Sequence, residues 1–202
     1  PRVARGPRRS FRRDRGAVRQ KASVIVVGAG VVGCSVAFQL ARMGARNVVV
    51  LERETLPGTG STSRANGGIR AQFTTEVNVR MSLLSMEILD ALEEEIGQPS
   101  AYRKAGYLFL TDSPEKLAAM ERAVEFQRSS GVDVEVLDAA QVRRRVPWAA
   151  GESLAGGTFG ARDGFIDPGR LCGFFASEAA HLGVSFLHGH EVTGAAEKAG
   201  EW

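Results

Sequence analysis

The segment Val24–Glu52 constrains this chain more than any other. Four β-branched residues, Val24-Ile25-Val26-Val27, run directly into Gly28-Ala29-Gly30-Val31-Val32-Gly33. So short and wholly apolar a run suits a strand buried on both faces of a parallel sheet. Val31–Met43 reads as a helix, ended by Gly44. Asn47–Glu52 is a second strand around Val48-Val49-Val50-Leu51. With short connections this is a βαβ unit, which closes by a right-handed crossover.

The glycines make separate demands. Gly28 allows a tight turn, Gly30 lets main chain approach a pyrophosphate, and Gly33 lets the helix pack closely on the strand. Ala29, Val31 and Val32 complete the fingerprint. The helix N-terminus offers N–H groups and partial positive charge to phosphates. Glu52 lies 24 residues after Gly28, where a carboxylate accepts hydrogen bonds from ribose hydroxyls. An acid there disfavours NADP, whose 2′-phosphate it would repel. The ligand is then a dinucleotide of the FAD or NAD kind.

Charge is unevenly placed. Residues 1–22 hold eight Arg, one Lys and one Asp, so the net +3 of the chain leaves −5 on the rest. A nucleic-acid-binding surface needs basic residues spread over the folded part, so none is expected. The tail is read as a disordered extension, with a mitochondrial presequence as the alternative. Ala22–Ala41 carries no charge over 20 residues, the length of a membrane span. Its glycines and its strand–turn–helix pattern argue against a transmembrane segment. Two cysteines, Cys34 and Cys172, cannot build a disulfide framework. The chain starts at Pro1 rather than Met and stops at Trp202 after a strand-like run, so it is expected to be a piece of a longer protein.

Further along, Leu56–Gly68 is a Gly/Ser/Thr-rich loop, longer than an ordinary connection. A helix begins at Thr74 or Thr75 and runs to Ile96. Val77, Met81, Leu84, Ile88, Leu92 and Ile96 form its apolar stripe, and Gly97 and Pro99 stop it. Tyr102–Thr111 reads as a strand or hairpin arm around Gly106. Ser113-Pro114 opens a helix running to Gly131. Val132–Leu137 is a strand, Asp138–Arg145 a short helix, and Leu154–Phe159 a strand. Asp167-Pro168 starts a helix to His181. Val184–Leu187 and Glu191–Gly194 read as strands.

The loop decides between the two dinucleotides. Gly60-Ser61-Thr62-Ser63 and Asn66-Gly67-Gly68-Ile69-Arg70 can wrap a second phosphate and reach a ring system. An NAD domain would instead pass from its second strand into another helix. These stretches, the fingerprint and Asp163-Gly164-Phe165-Ile166-Asp167-Pro168 resemble the D-amino-acid oxidase superfamily of FAD-dependent oxidoreductases, over residues 23–198 or so. That group includes glycine oxidase, sarcosine oxidase and dimethylglycine dehydrogenase. Ala71-Gln72-Phe73, Ala105-Gly106-Tyr107-Leu108 and Val146-Pro147-Trp148 look most like members linked to assembly of a respiratory complex, and their bacterial relatives.

The resemblance implies an α/β fold: a Rossmann-like FAD-binding domain, residues 23–74 and 165–202, with an inserted α+β substrate domain over 75–164. Both would be incomplete at the C-terminal side. It places Arg53 near the adenine or ribose, and Ser61, Thr62 and Ser63 on phosphate. Gly60 belongs to the same loop. Asn66, Gly67 and Gly68 would follow the flavin edge, and Val192 the adenine edge. Arg70 would bind a substrate carboxylate or form a salt bridge between domains. No metal site is expected: His188 and His190 supply too few ligands, and His181 is read as structural. Cys34 and Cys172 are read as buried small hydrophobes, and Trp148 as packing.

The implied function is FAD-dependent oxidation of the C–N bond of an amino acid or secondary amine, with oxygen or a quinone-linked carrier as electron acceptor. The alternatives are an FAD-binding assembly factor and an NAD-dependent dehydrogenase. The expected location is a bacterial cytoplasm, or else the mitochondrial matrix.

Overall fold

The computed structural model describes residues 21–96, 102–148 and 153–197. Its strands are β1 (Val24–Val27), β2 (Val48–Glu52), β3 (Gly68–Ile69), β4 (Tyr102–Arg103), β5 (Tyr107–Thr111), β6 (Val134–Asp138), β7 (Gly156–Gly160), β8 (Gly164–Ile166) and β9 (Ser185–His188). Its helices are α1 (Val31–Arg42), α2 (Glu76–Ile96), α3 (Pro114–Ser129), α4 (Ala139–Arg145) and α5 (Pro168–His181). Residues 1–20 of the basic tail, and the expected helix stop at Gly97 and Pro99, lie outside the described residues.

The parallel sheet, in the order β1-β2-β9, joins both ends of the chain. Helices α1 and α5 pack together on one face of it. They bury Cys34, Ala37 and Phe38 from α1 and Cys172, Phe175 and Ala179 from α5. The Phe38 and Phe175 rings lie 5.6 Å apart. The other face is open among the described residues, where Ile25 and Val27 are exposed. β1 is therefore half-buried rather than covered on both faces, because both helices choose the side of Val24 and Val26.

Two antiparallel sheets complete the described fold. The order β5-β7-β6 places Tyr107 opposite Gly160 and Asp138 opposite Gly156. Ser113 caps α3, and α4 begins with a reciprocal Asp138–Gln141 capping box. The small sheet β3-β8-β4 ties the glycine-rich loop to the rest of the chain. The expected arm Tyr102–Thr111 breaks at Gly106 (φ +79°), so β4 and β5 enter different sheets.

Three further expectations are corrected. Glu191–Gly194 is irregular chain rather than a strand. Helix α2 buries Val79, Met86, Leu89 and Leu92, while Val77, Met81, Leu84 and Ile88 of the expected stripe are exposed. It is apolar on two sides, and periodicity alone could not choose between them. Trp148 is 88% exposed: the turn after α4 carries it away from the core. The charge-free run Ala22–Ala41 divides into β1 and α1, and no described helix is long and apolar enough to cross a membrane.

Candidate functional site: a nucleotide groove and a stacked arginine

The glycine turn sits where β1 ends and α1 begins, between β1 and β2. Gly28 has φ +95°, a conformation costly for side-chain-bearing residues. A Cβ at Gly33 would lie 1.9 Å from the Gly28 carbonyl oxygen, so helix and turn touch main chain to main chain. Gly30 is different: a Cβ there would meet only the Thr62 hydroxyl, at 3.3 Å. It faces the groove rather than the core.

The start of α1 is also chemically distinct. Helices α3, α4 and α5 each begin at a side chain that accepts an N–H of the first turn: Ser113, Asp138 and Asp167. Helix α1 begins at Gly30, with no side-chain cap from it and no acid in its first turn. Thr62, in a short 3₁₀ turn, takes the Val31 N–H at 3.0 Å. A hydroxyl that accepts there still has its own O–H to donate. The helix dipole and remaining first-turn N–H groups favour an anion.

Glu52 ends β2 beside this turn. Its Oε2 accepts the Ala29 N–H at 2.6 Å and its Oε1 the Glu54 N–H at 2.9 Å. The Glu54 N–H, with help from that of Ala29 and from Arg53, holds the carboxyl below its ordinary range against a partial burial cost. Glu52 is thus an anion at the rim of the groove.

Gly28, Gly30, Val31, Val32, Glu52, Arg53, Gly60, Ser61, Thr62 and Val192 line one groove of about 640 Å³. Ala29 is fully buried and Gly33 lies behind the turn, so these two shape the groove without lining it. The Ser63 hydroxyl donates back to the Thr59 and Gly60 carbonyls. Asn66 is exposed beyond the loop, and Gly67 packs against the Ile166 carbonyl. His190 and Glu191 also line the groove, which the sequence did not signal. They arrive because the chain after β9 hydrogen-bonds back to the main chain of Glu52 and Glu54.

Gly68 and Arg70 line a second cavity of about 350 Å³ with Phe73, Asn78 and Met81. Arg70 is half-buried. Alternation along β5 puts Tyr107 and Phe109 on one face, and the guanidinium stacks 5.2 Å from the Tyr107 ring centre and 5.8 Å from that of Phe109. Its Nη1 donates to the Tyr107 hydroxyl at 3.2 Å. Among the described residues no carboxylate lies within ion-pair distance of it. A stacked guanidinium keeps its planar fork of donors available to a carboxylate.

His181 lies 3.4 Å from Glu178 on the surface, and His188 and His190 are exposed, His190 at the edge of the groove. Cys34 and Cys172 are buried with sulfurs 3.8 Å apart. Burial, then the neighbouring sulfur, pushes the Cys34 thiol up to about 12, which makes it a poor nucleophile.

Residues 23–202 match the family described as DAO, FAD dependent oxidoreductase. The chain belongs to this family. The remaining first-turn N–H groups of α1, the Gly30 approach and the Glu52 anion fit a dinucleotide, and the cofactor of this FAD-dependent oxidoreductase is FAD. It is 35% identical over 185 residues to FAD-dependent oxidoreductase domain-containing protein 1 of Xenopus laevis, an alignment covering 86% of this chain and 37% of the relative. To human mitochondrial sarcosine dehydrogenase it is 28% identical, over 95% of this chain and 20% of the relative. The structure of L-proline dehydrogenase from P. horikoshii superimposes with a TM-score of 0.80 at 31% identity, over 89% of this chain and 47% of the other. The chain thus spans less than half the length of these relatives.

Proposed function

We propose that this FAD-dependent oxidoreductase oxidises the C–N bond of an amino acid or secondary amine, with Arg70 holding the substrate carboxylate. The observation that carries the reading is Arg70 itself: a half-buried guanidinium, stacked on two rings, with no carboxylate partner among the described residues. Asp163 acts on this charge through space but lies outside ion-pair distance, and an anionic ligand would pair with the guanidinium directly. The names of two relatives, sarcosine dehydrogenase and L-proline dehydrogenase, denote substrates of this class.

FAD when bound supplies a two-electron acceptor for hydride from the carbon next to nitrogen. The chain supplies the remainder. The start of α1 with Gly28, Gly30 and the Thr62 hydroxyl would hold the pyrophosphate, Ser61 adding a hydroxyl and Ser63 bracing the loop through its bonds to the Thr59 and Gly60 carbonyls. Glu52 would take the ribose, Arg53 and Val192 the adenine, and Asn66, Gly67 and Gly68 the flavin edge. The strand order β1-β2-β9 supports a cofactor part built from residues 23–74 and 165–202, with 75–164 as the substrate part. The electron acceptor is oxygen or a quinone-linked carrier.

The test is steady-state kinetics of Arg70→Lys. KM for an N-methyl amino acid should rise about tenfold or more, because an ammonium cannot reproduce the bidentate fork. The matched amine without a carboxylate should be unaffected. An unchanged KM would remove Arg70 from the substrate site.

A further inference from the structure

Arg70 and its aromatic platform are held from behind by the same two side chains. Asp163 is 1% exposed. Its Oδ1 accepts the Ala71 N–H at 2.9 Å, and its Oδ2 accepts Gln72 Nε2 at 2.8 Å. Gln72 Nε2 also donates to the Tyr107 carbonyl at 3.0 Å, while its Oε1 accepts the Thr158 hydroxyl at 2.7 Å. The Asp163 carbonyl takes the Gly106 N–H at 2.8 Å. The residue after Arg70 and the main chain on both sides of Tyr107 are therefore tied to Asp163 or to its partner Gln72.

The orientation of the Gln72 amide is forced. The Tyr107 carbonyl can only accept, so the NH₂ must face it and Asp163 Oδ2, and the Thr158 O–H must donate to the remaining oxygen. An apolar side chain would cross this seam with less desolvation than a buried carboxylate, whose charged form is disfavoured by burial. The network adds directionality, which apolar packing lacks.

We propose that Asp163, together with Gln72, is a positioning residue that fixes Arg70 relative to Tyr107 and so sets the affinity for an anionic substrate group without touching it. This rests on the carboxylate-binding role of Arg70. Two roles for Asp163 predict opposite signs. A mere neighbouring negative charge opposes anion binding, so neutralising it would tighten the anion. A positioning group loses its geometry when neutralised. In Asp163→Asn one orientation sets an amide NH₂ against the Gln72 NH₂ and the other sets it against the Ala71 N–H; either way donor meets donor.

The experiment measures dissociation constants of acetate, with acetamide as the uncharged control, from the change each causes in the absorption of the FAD-loaded protein. Asp163→Asn should weaken acetate about tenfold, as expected of a displaced charge-assisted contact. Acetamide and FAD affinity should each change less than about twofold, since neither depends on the fork. Thr158→Val keeps the buried carboxylate and removes only the hydroxyl that anchors Gln72 Oε1. It should weaken acetate about threefold, and it carries the test if Asp163→Asn does not fold. Unchanged or tighter acetate binding in these variants, alongside weakened binding in Arg70→Gln, overturns the positioning role and leaves Arg70 as the anchor. Unchanged binding in Arg70→Gln overturns both.

Discussion

Gly30 and Gly33 stand three residues apart in one fingerprint, yet the structure assigns them opposite consequences. An alanine Cβ at position 33 would lie 1.9 Å from the Gly28 carbonyl oxygen. The usual closest carbon–oxygen approach is about 3.3 Å, so α1 must lift by about 1.4 Å. Cys34 and Ala37 beneath it are fully buried, so the lift opens the packing of α1 against α5. Overpacking of this kind costs about 1–3 kcal/mol, a fall of roughly 3–10 °C in melting temperature. At position 30 φ is −74° and the Cβ would meet only a hydroxyl at 3.3 Å. Gly30→Ala should therefore cost under about 1 kcal/mol, the difference between glycine and alanine at an N-cap. Its methyl group projects where a pyrophosphate must approach, and flavin affinity should fall about tenfold or more, at least 1.4 kcal/mol. Guanidinium melts of the flavin-free proteins and fluorescence titrations with FAD read the two effects separately. A Gly33→Ala protein of unchanged stability, or a Gly30→Ala protein with full flavin affinity, would refute this division of roles.

Other outcomes follow from single sites. Because its folded-state value lies below the ordinary 4.5, Glu52 contributes stability that is present above that pH and lost as the pH falls through the folded value. Stability measured against pH should therefore show a shallower acid limb in Glu52→Gln, and an identical limb would deny Glu52 its N–H partners. Cys34 and Cys172 are buried and their thiols raised, so a thiol reagent near pH 8 should label neither in the folded protein and both after denaturation; rapid labelling of the native state would contradict their burial. Asp138→Ala removes one side of the α4 capping box and should cost about 1 kcal/mol in denaturant melts without altering flavin binding. A loss of flavin in that variant would mean the two regions are coupled.

The nucleotide unit was legible because its signals are local. Strand, glycine turn, helix and terminal acid lie within Val24–Glu52, and each has a physical reason at its own position. The Ser113-Pro114 cap and the Asp167-Pro168 helix start were readable on the same ground, whereas Asp138 proved to be the cap of α4 rather than its first residue. What escaped depends on distant partners. β3 and β8 are two and three residues long and exist only because they pair with each other and with β4. The two-sided apolar pattern of α2 left its buried face undecided until Val79 and Met86 met the core. The Asp163–Gln72–Thr158 network spans separations of 86 and 91 residues, and no periodicity links such positions. Arg70 was legible as a candidate, but choosing between ligand anchor and salt bridge needs its surroundings, which no local pattern carries.

Arg70, as proposed above, receives an anionic substrate group beside the flavin. A crystal structure of the FAD-loaded protein with a non-reacting N-methyl amino-acid analogue tests it directly. The analogue's carboxylate should lie about 3 Å from the Arg70 guanidinium, on the donors that Tyr107 does not occupy, with Arg70 still stacked on Tyr107 and Phe109. A carboxylate bound elsewhere, with Arg70 paired to a protein acid instead, would contradict it.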